Sequence, residues 1–169
     1  MKFNKIFTIF TLLALSIFLT SCGTSQTAAE KAKKAKLLDE QIENLDFKFI
    51  ANYAYPQGYK SIHLTSLYDV ILTPDTVKAY LPYFGRAYRA PMNPNEGGIK
   101  FESTDFESKV QIGKRSGEWR VTIKTKDTTR PFTLNFNLWN NGTGQLNVTD
   151  QDRQSISFQG SIEGGKKEE

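Results

Sequence analysis

A chain of 169 residues with 22 basic and 18 acidic side chains has the size of one domain and a formal charge of +4. So small an excess of charge gives no reason to expect nucleic acid as a partner, and a single cysteine excludes a disulfide framework. The single histidine has no second metal-type residue at ligand spacing, so no metal or other cofactor is expected.

Lys2 and Lys5 precede an uncharged apolar run from Ile6 to Leu19. A basic start followed by an apolar stretch of this length predicts a secretory signal, too short for the roughly 20 apolar residues of a membrane span. The run ends in Leu19-Thr20-Ser21-Cys22, which resembles the lipobox of bacterial lipoproteins. Residues 1–21 are therefore read as a signal peptide and Cys22 as the lipid attachment site. Residues 22–27 follow as the lipidated N-terminus and a short tether. Two or three acyl chains give stable attachment where one gives only marginal binding. Acylation of Cys22 also removes the only thiol. Lys2 and Lys5 leave with the signal, so the mature charge is about +2. By the same resemblance, Gly23 lacks the Asp tied to inner-membrane retention, and no acidic run follows as a surface-export tag. An outer-membrane lipoprotein facing the periplasm is expected, with the membrane itself as one partner.

Residues 28–44 are rich in helix formers, with Thr27 as N-cap and Ala35, Leu38, Ile42 and Leu45 on one face. Lys31, Lys33, Lys34 and Lys36 favour either anionic lipid or plain solvent. From Asp46 the period changes to two. Phe47, Phe49, Ala51 and Tyr53 form one inward row, followed by Ile62 with Leu64, a short strand over Tyr68–Leu72, and Val77, Ala79 and Leu81. Further rows are Phe106, Val110 and Ile112; Trp119, Val121 and Ile123; Phe132, Leu134, Phe136 and Leu138; Leu146 and Val148; and Ile156, Phe158 and Ile162. Turn residues separate them, as at Gly113–Gly117, Lys126–Thr129, Asn140-Asn141-Gly142 and Asp150–Gln154. Alternation sustained this long predicts one antiparallel β domain over 46–163, with a polar tail at 164–169. The expected fold is all-β: a meander closing into a small calycin-like barrel or clam beside the N-terminal helix. A two-sheet β-sandwich is the alternative.

Ala79-Tyr80-Leu81-Pro82-Tyr83-Phe84-Gly85-Arg86-Ala87-Tyr88 is a distinctive decapeptide. Ser61–Ser66 and Asp75-Thr76-Val77 precede it, and Gly97–Phe101 follows. Together they resemble the Bacteroidetes lipoprotein family known as domain of unknown function 4251, over roughly Phe47 to Ile162. The resemblance implies an anchored, β-rich protein and supplies no activity and no catalytic residues.

No nucleophile elbow, phosphate-cradling Gly loop or HExxH motif is present, and His63 falls on the polar face of a strand, so the chain is not expected to be an enzyme. The stretch from Tyr80 to Gly98 is the candidate binding region. Both faces of its strand carry aromatic or apolar bulk, and a Pro/Gly-rich segment follows, with Arg86 and Arg89 flanking Tyr88. Tyr80, Tyr83, Arg86 and Tyr88 would give aromatic walls and a cation for an anionic or sugar-like group. The competing reading is a strand covered by the sheet and the helix, with Arg86 lying over a ring. Thr76 and Thr128, in Asp-Thr-Val and Asp-Thr-Thr, are similar to O-glycosylation acceptors of Bacteroidetes, although Asp-Thr is also ordinary turn chemistry. The function expected is a non-enzymatic envelope lipoprotein that binds an unknown small ligand or an envelope protein. The alternative is a structural or assembly component that contacts only other proteins.

Overall fold

The computed structural model describes residues 27–88 and 97–164. The signal peptide, Cys22, residues 22–26 of the tether, Arg89, the Pro91–Glu96 segment and residues 165–169 of the tail lie outside the described residues. The chain divides into two compact units after Ala32. The described part of the first, Thr27–Ala32, opens helix α1 (Ala28–Glu43) with a capping box. The Thr27 amide donates to Glu30 Oε2 at 2.9 Å, and the Glu30 amide donates to Thr27 Oγ1 at 3.3 Å.

The second unit contains the rest of α1 and ten strands. Leu38 and Ile42 are buried, on the face that the apolar spacing selected. Asp39 adds a polar anchor: Trp119 Nε1 donates to its Oδ1 at 2.6 Å and Asn140 Nδ2 to its Oδ2 at 3.0 Å. After the helix, Leu45 takes a left-handed conformation at φ 56°, and the Asp46 amide reaches back to the Gln41 carbonyl at 2.8 Å. No glycine is supplied for this stop; the Leu45 side chain packs against the core.

The strands are β1 (Phe47–Pro56), β2 (Ile62–His63), β3 (Asp69–Leu72), β4 (Val77–Pro82), β5 (Gly98–Ser103), β6 (Phe106–Ile112), β7 (Glu118–Thr125), β8 (Thr133–Trp139), β9 (Thr143–Thr149) and β10 (Ile156–Gly164). They form one sheet in the order β5-β4-β3-β1-β10-β9-β8-β7-β6, with β2 beside β1. Every pairing along this path is antiparallel. The two ends of the path, β5 and β6, are consecutive in the chain and joined only by Thr104 and Asp105. An even number of antiparallel steps separates them, so they run in the same direction. The sheet is thus a nearly closed small barrel in meander order, in which one long bent strand leaves β4 and joins β7. The single continuous path decides for the barrel over the sandwich.

Phe47, Phe49, Phe136 and Phe158 are fully buried with Leu72, Leu81, Ile99, Ile123, Leu134, Leu138 and Leu146. The Phe136 ring meets Phe47 edge-on at 5.7 Å and Phe49 at 5.9 Å. Side chains fill the barrel interior. Two rows differ from the sequence reading. Tyr53 faces outward because a bulge at Asn52 breaks the β1–β10 register between Ala51 and Tyr53. The Asn52 carbonyl accepts from the Leu64 amide instead, at 2.8 Å. Alternation restarts after the bulge, with Ala54 and Pro56 inward and Tyr53 and Tyr55 outward. Gly160 lies opposite, where a Cβ would run into the Ile50 carbonyl. Ile112 is the other exception, 77% exposed, because β6 ends the sheet path and nothing described covers its last residues.

Candidate functional site

The four residues singled out in the sequence do not form one site. Tyr80 points outward from β4, stacked on Tyr68 at 5.5 Å, with Lys100 Nζ 4.8 Å from its ring centre. Tyr83 is half-buried, and the guanidinium over its ring, 4.6 Å away, belongs to Arg153. Arg86 and Tyr88 are exposed and contribute backbone. The Arg86 carbonyl accepts from the Gln154 amide at 3.1 Å, its amide donates to Gln154 Oε1 at 3.2 Å, and the Tyr88 amide donates to the Asp152 carbonyl at 2.7 Å. Residues 86–88 therefore zip onto 152–154, including an isolated bridge between Ala87 and Arg153. Arg86 is placed outward by this pairing, and the clamp over the aromatic surface is supplied from 67 residues further along the chain by Arg153.

Arg153 is itself committed to structure. It donates through Nε to Asp150 Oδ2 at 2.7 Å and through Nη1 to the Gly98 carbonyl at 3.1 Å, and both members of the ion pair are nearly enclosed. The Tyr83 hydroxyl sits 2.9 Å from the Arg86 carbonyl and 3.1 Å from that of Gln154. Burial holds the Tyr83 phenol above its ordinary pKa, with Arg153 opposing that shift and Asp150 adding to it. Beside this clamp lies a cleft of about 500 Å³ along the free edge of β5, walled by Phe101 stacked on Phe132 at 4.6 Å. At its far end, Asp127 clamps the β5–β6 corner. Its carboxylate accepts from the Ser103 hydroxyl, from the Thr104 amide at 2.8 Å and from the Asp105 amide at 3.1 Å. Those bonds, the Ser103 hydroxyl first, pull the Asp127 pKa down to about 2.

Of the two threonines, Thr76 is half-buried in the β3–β4 turn and donates its amide to the Thr73 hydroxyl at 3.0 Å. Thr128 donates its hydroxyl to the Arg130 carbonyl at 2.6 Å and pairs with the Thr125 hydroxyl. His63 is exposed on β2 with its ring 4.9 Å from that of Tyr53. Among the described residues, no group of three His, Cys, Asp or Glu is placed to hold a metal, and no helix is long and apolar enough to cross a membrane.

A second groove, of about 410 Å³, runs over the outer face of β8, β9, β10 and β1. Two cross-strand rows form its floor. One runs Asn135, Asn147, Ser157, Tyr55; the other runs Asn137, Gln145, Gln159, and Tyr53 continues its register on β1 without lining the groove. Some of these groups are tied to neighbours: Tyr55 donates to Gln159 Oε1 at 2.8 Å, Asn147 Nδ2 to Ser157 Oγ at 3.0 Å, and Thr122 to Asn135 Oδ1 at 3.1 Å. The side chains of Asn137 and Gln145, opposed at the β8 end of their row, make no hydrogen bond among the described residues. Asn135 and Asn137 alternate with the buried Leu134, Phe136 and Leu138, but nothing in the sequence shows that three strands align their amides. Only register does that.

The model of the family described as Domain of unknown function (DUF4251) matches residues 29–162. The chain belongs to that family. The crystal structure of a DUF4251 family protein from Bacteroides eggerthii DSM 20697 superimposes with a TM-score of 0.62 at 15% identity, covering 82% of this chain and 92% of that one. At such low identity the likeness establishes the barrel fold and nothing about ligands. None of the curated proteins matches the chain.

Proposed function

We propose that this DUF4251 protein is a lipid-anchored envelope protein whose barrel is a non-enzymatic binding domain, engaging its ligand on the outer face of β8–β10 and β1. The anchor is read from the apolar run ending at Ser21-Cys22. The observation that carries the binding reading is the groove of aligned amides, whose pair at the β8 end, Asn137 and Gln145, spends none of its hydrogen-bonding capacity on the fold. A filled interior directs binding to the surface, unlike barrels that enclose their ligand. The cleft beside β5 fits a structural part better, since Arg153 and Asp127 there are already satisfied.

Two measurements test this. Cys22→Ala is expected to release the full-length protein from the membrane fraction; a mutant that still sediments with membranes and resists a salt wash refutes the anchor. In isotope-labelled mature protein, the side-chain amide signals of Asn137 and Gln145 are expected to shift on adding solubilised envelope material. Shifts confined to Arg153 and its neighbours refute the placement of the site.

A further inference from the structure

We infer that the outer groove is built for a neutral, hydroxyl-rich chain, an oligosaccharide, laid across the strands with a sugar ring against Tyr55. The inference deepens the binding reading above and depends on it.

Composition argues first. Outward positions of β8, β9 and most of β10 read Thr133, Asn135, Asn137, Trp139, Thr143, Gln145, Asn147, Thr149, Ser157, Gln159 and Ser161, without one charge. The outward positions of β4 to β7 carry Lys78, Lys100, Glu102, Glu107, Lys109, Arg120 and Lys124. A solvated sheet face is ordinarily stabilised by Thr, aromatic residues or opposite-charge pairs, and Asn is depleted from strands. Three asparagines in the middle of two adjacent strands work against strand propensity; Asn135 and Asn147 offset part of this through cross-strand bonds, and Asn137 offsets none of it. Side-chain amides offer a donor and an acceptor on one planar group, which suits hydroxyls that both give and accept. The rows carry no charge from β8 to β1, Arg120 on β7 opposite Asn137 being the nearest beyond them, so a phosphate, carboxylate or cationic ligand finds no counter-ion within the groove.

Spacing argues second. Within each row the residues are separated by the strand-to-strand distance, about 4.8 Å. That is close to the length of one pyranose unit, so a linear sugar chain meets one hydrogen-bonding side chain per residue. An extended peptide rises about 3.4 Å per residue and repeats each face at twice that, falling out of step with the rows.

The bulge at Asn52 supplies the third part. By resetting the alternation of β1, it places Tyr53 and Tyr55, 41% and 42% exposed, at the end of both rows. Flat, partly wet rings with a polar tip are suited to the C–H face of a sugar beside its hydroxyls.

The test uses purified mature protein and neutral linear hexasaccharides of β-1,4-glucose, α-1,4-glucose and β-1,4-xylose, with an uncharged Gly/Ser/Asn hexapeptide beside them, each to roughly 10 mM. At least one sugar is expected to shift the Asn137 and Gln145 side-chain signals. Asn137→Ala or Gln145→Ala is expected to weaken that binding about three- to tenfold. Tyr55→Phe, which keeps the ring, is expected to retain most of it, whereas Tyr55→Ala loses it; both side chains are exposed and the fold survives. Shifts produced by the peptide instead, or by self-association at high protein concentration, overturn the oligosaccharide assignment. Shifts with envelope material but with none of the sugars overturn it while leaving the binding reading intact. Silence with every addition removes both.

Discussion

Arg153→Ala is expected to be among the most damaging changes outside the apolar core. Arg153 and Asp150 keep 8% and 4% of their side-chain surface exposed, and they form a 2.7 Å ion pair. Deleting one partner of such a pair leaves a buried, uncompensated carboxylate and costs about 3–5 kcal/mol. The substitution also removes the cation over Tyr83 and the bond to the Gly98 carbonyl. For a domain of this size, that loss lowers the melting temperature by roughly 10–15 °C. Arg86→Ala, by contrast, leaves the backbone pairing of residues 86–88 untouched and is expected to stay within about 0.5 kcal/mol of wild type. Pairing Arg153→Met with Asp150→Leu should recover much of the single-mutant loss, because no charge is then stranded. Urea denaturation of the four proteins gives the energies directly. A cost below about 1 kcal/mol for Arg153→Ala, or a larger cost for Arg86→Ala, would refute the assignment of the clamp.

Phe136→Ala removes a ring that meets Phe47 and Phe49 at the barrel centre, and should cost about 3–5 kcal/mol in urea titration. An equally stable mutant would mean that the core lies elsewhere. Asp127 is ionised down to about pH 2 in the folded chain against 3.8 for an unperturbed aspartate, so its clamp on the β5–β6 corner contributes fully above about pH 4. That contribution is lost as pH falls through 2. The urea-midpoint difference between wild type and Asp127→Asn should therefore shrink over this window, and a constant difference would contradict it. Asp39→Asn weakens the hold on Trp119 and Asn140, and near-ultraviolet circular dichroism should report a loosened Trp119. An unchanged spectrum and melting curve would show that Leu38 and Ile42 dock the helix unaided.

Most of the barrel was legible because its strands keep one face apolar. Phe132, Leu134, Phe136 and Leu138 are buried as their spacing required, and Asn135 and Asn137 face water. The misplaced residues share a cause in long-range geometry. Tyr53 continues the inward period of Phe47, Phe49 and Ala51, and only the opposing Gly160 reveals where the chain bulges. Ile112 has an inward period too, but its strand is the last in the path. Arg86 was favoured by its closeness in sequence to Tyr83, whereas the guanidinium that covers that ring arrives through the 86–88 and 152–154 pairing. The amide rows were invisible for the same reason, since alignment across β8, β9 and β10 is a property of hairpin register and not of any one strand.

The meander begins and ends at the same seam: β1 runs the length of β10, with Phe47 opposite Gly164. The first strand made is thus the partner of the last, and no internal hairpin can substitute for that pairing. A chain emerging N-terminus first can form β6 to β9 locally while β1 waits with one edge unmet. Closure, and with it the outward turn of Tyr53 and Tyr55 against Gln159, comes only after Gly164 has appeared. Loss of the final nine residues of the barrel would therefore open the ring at its first strand and dismantle the groove from its aromatic end.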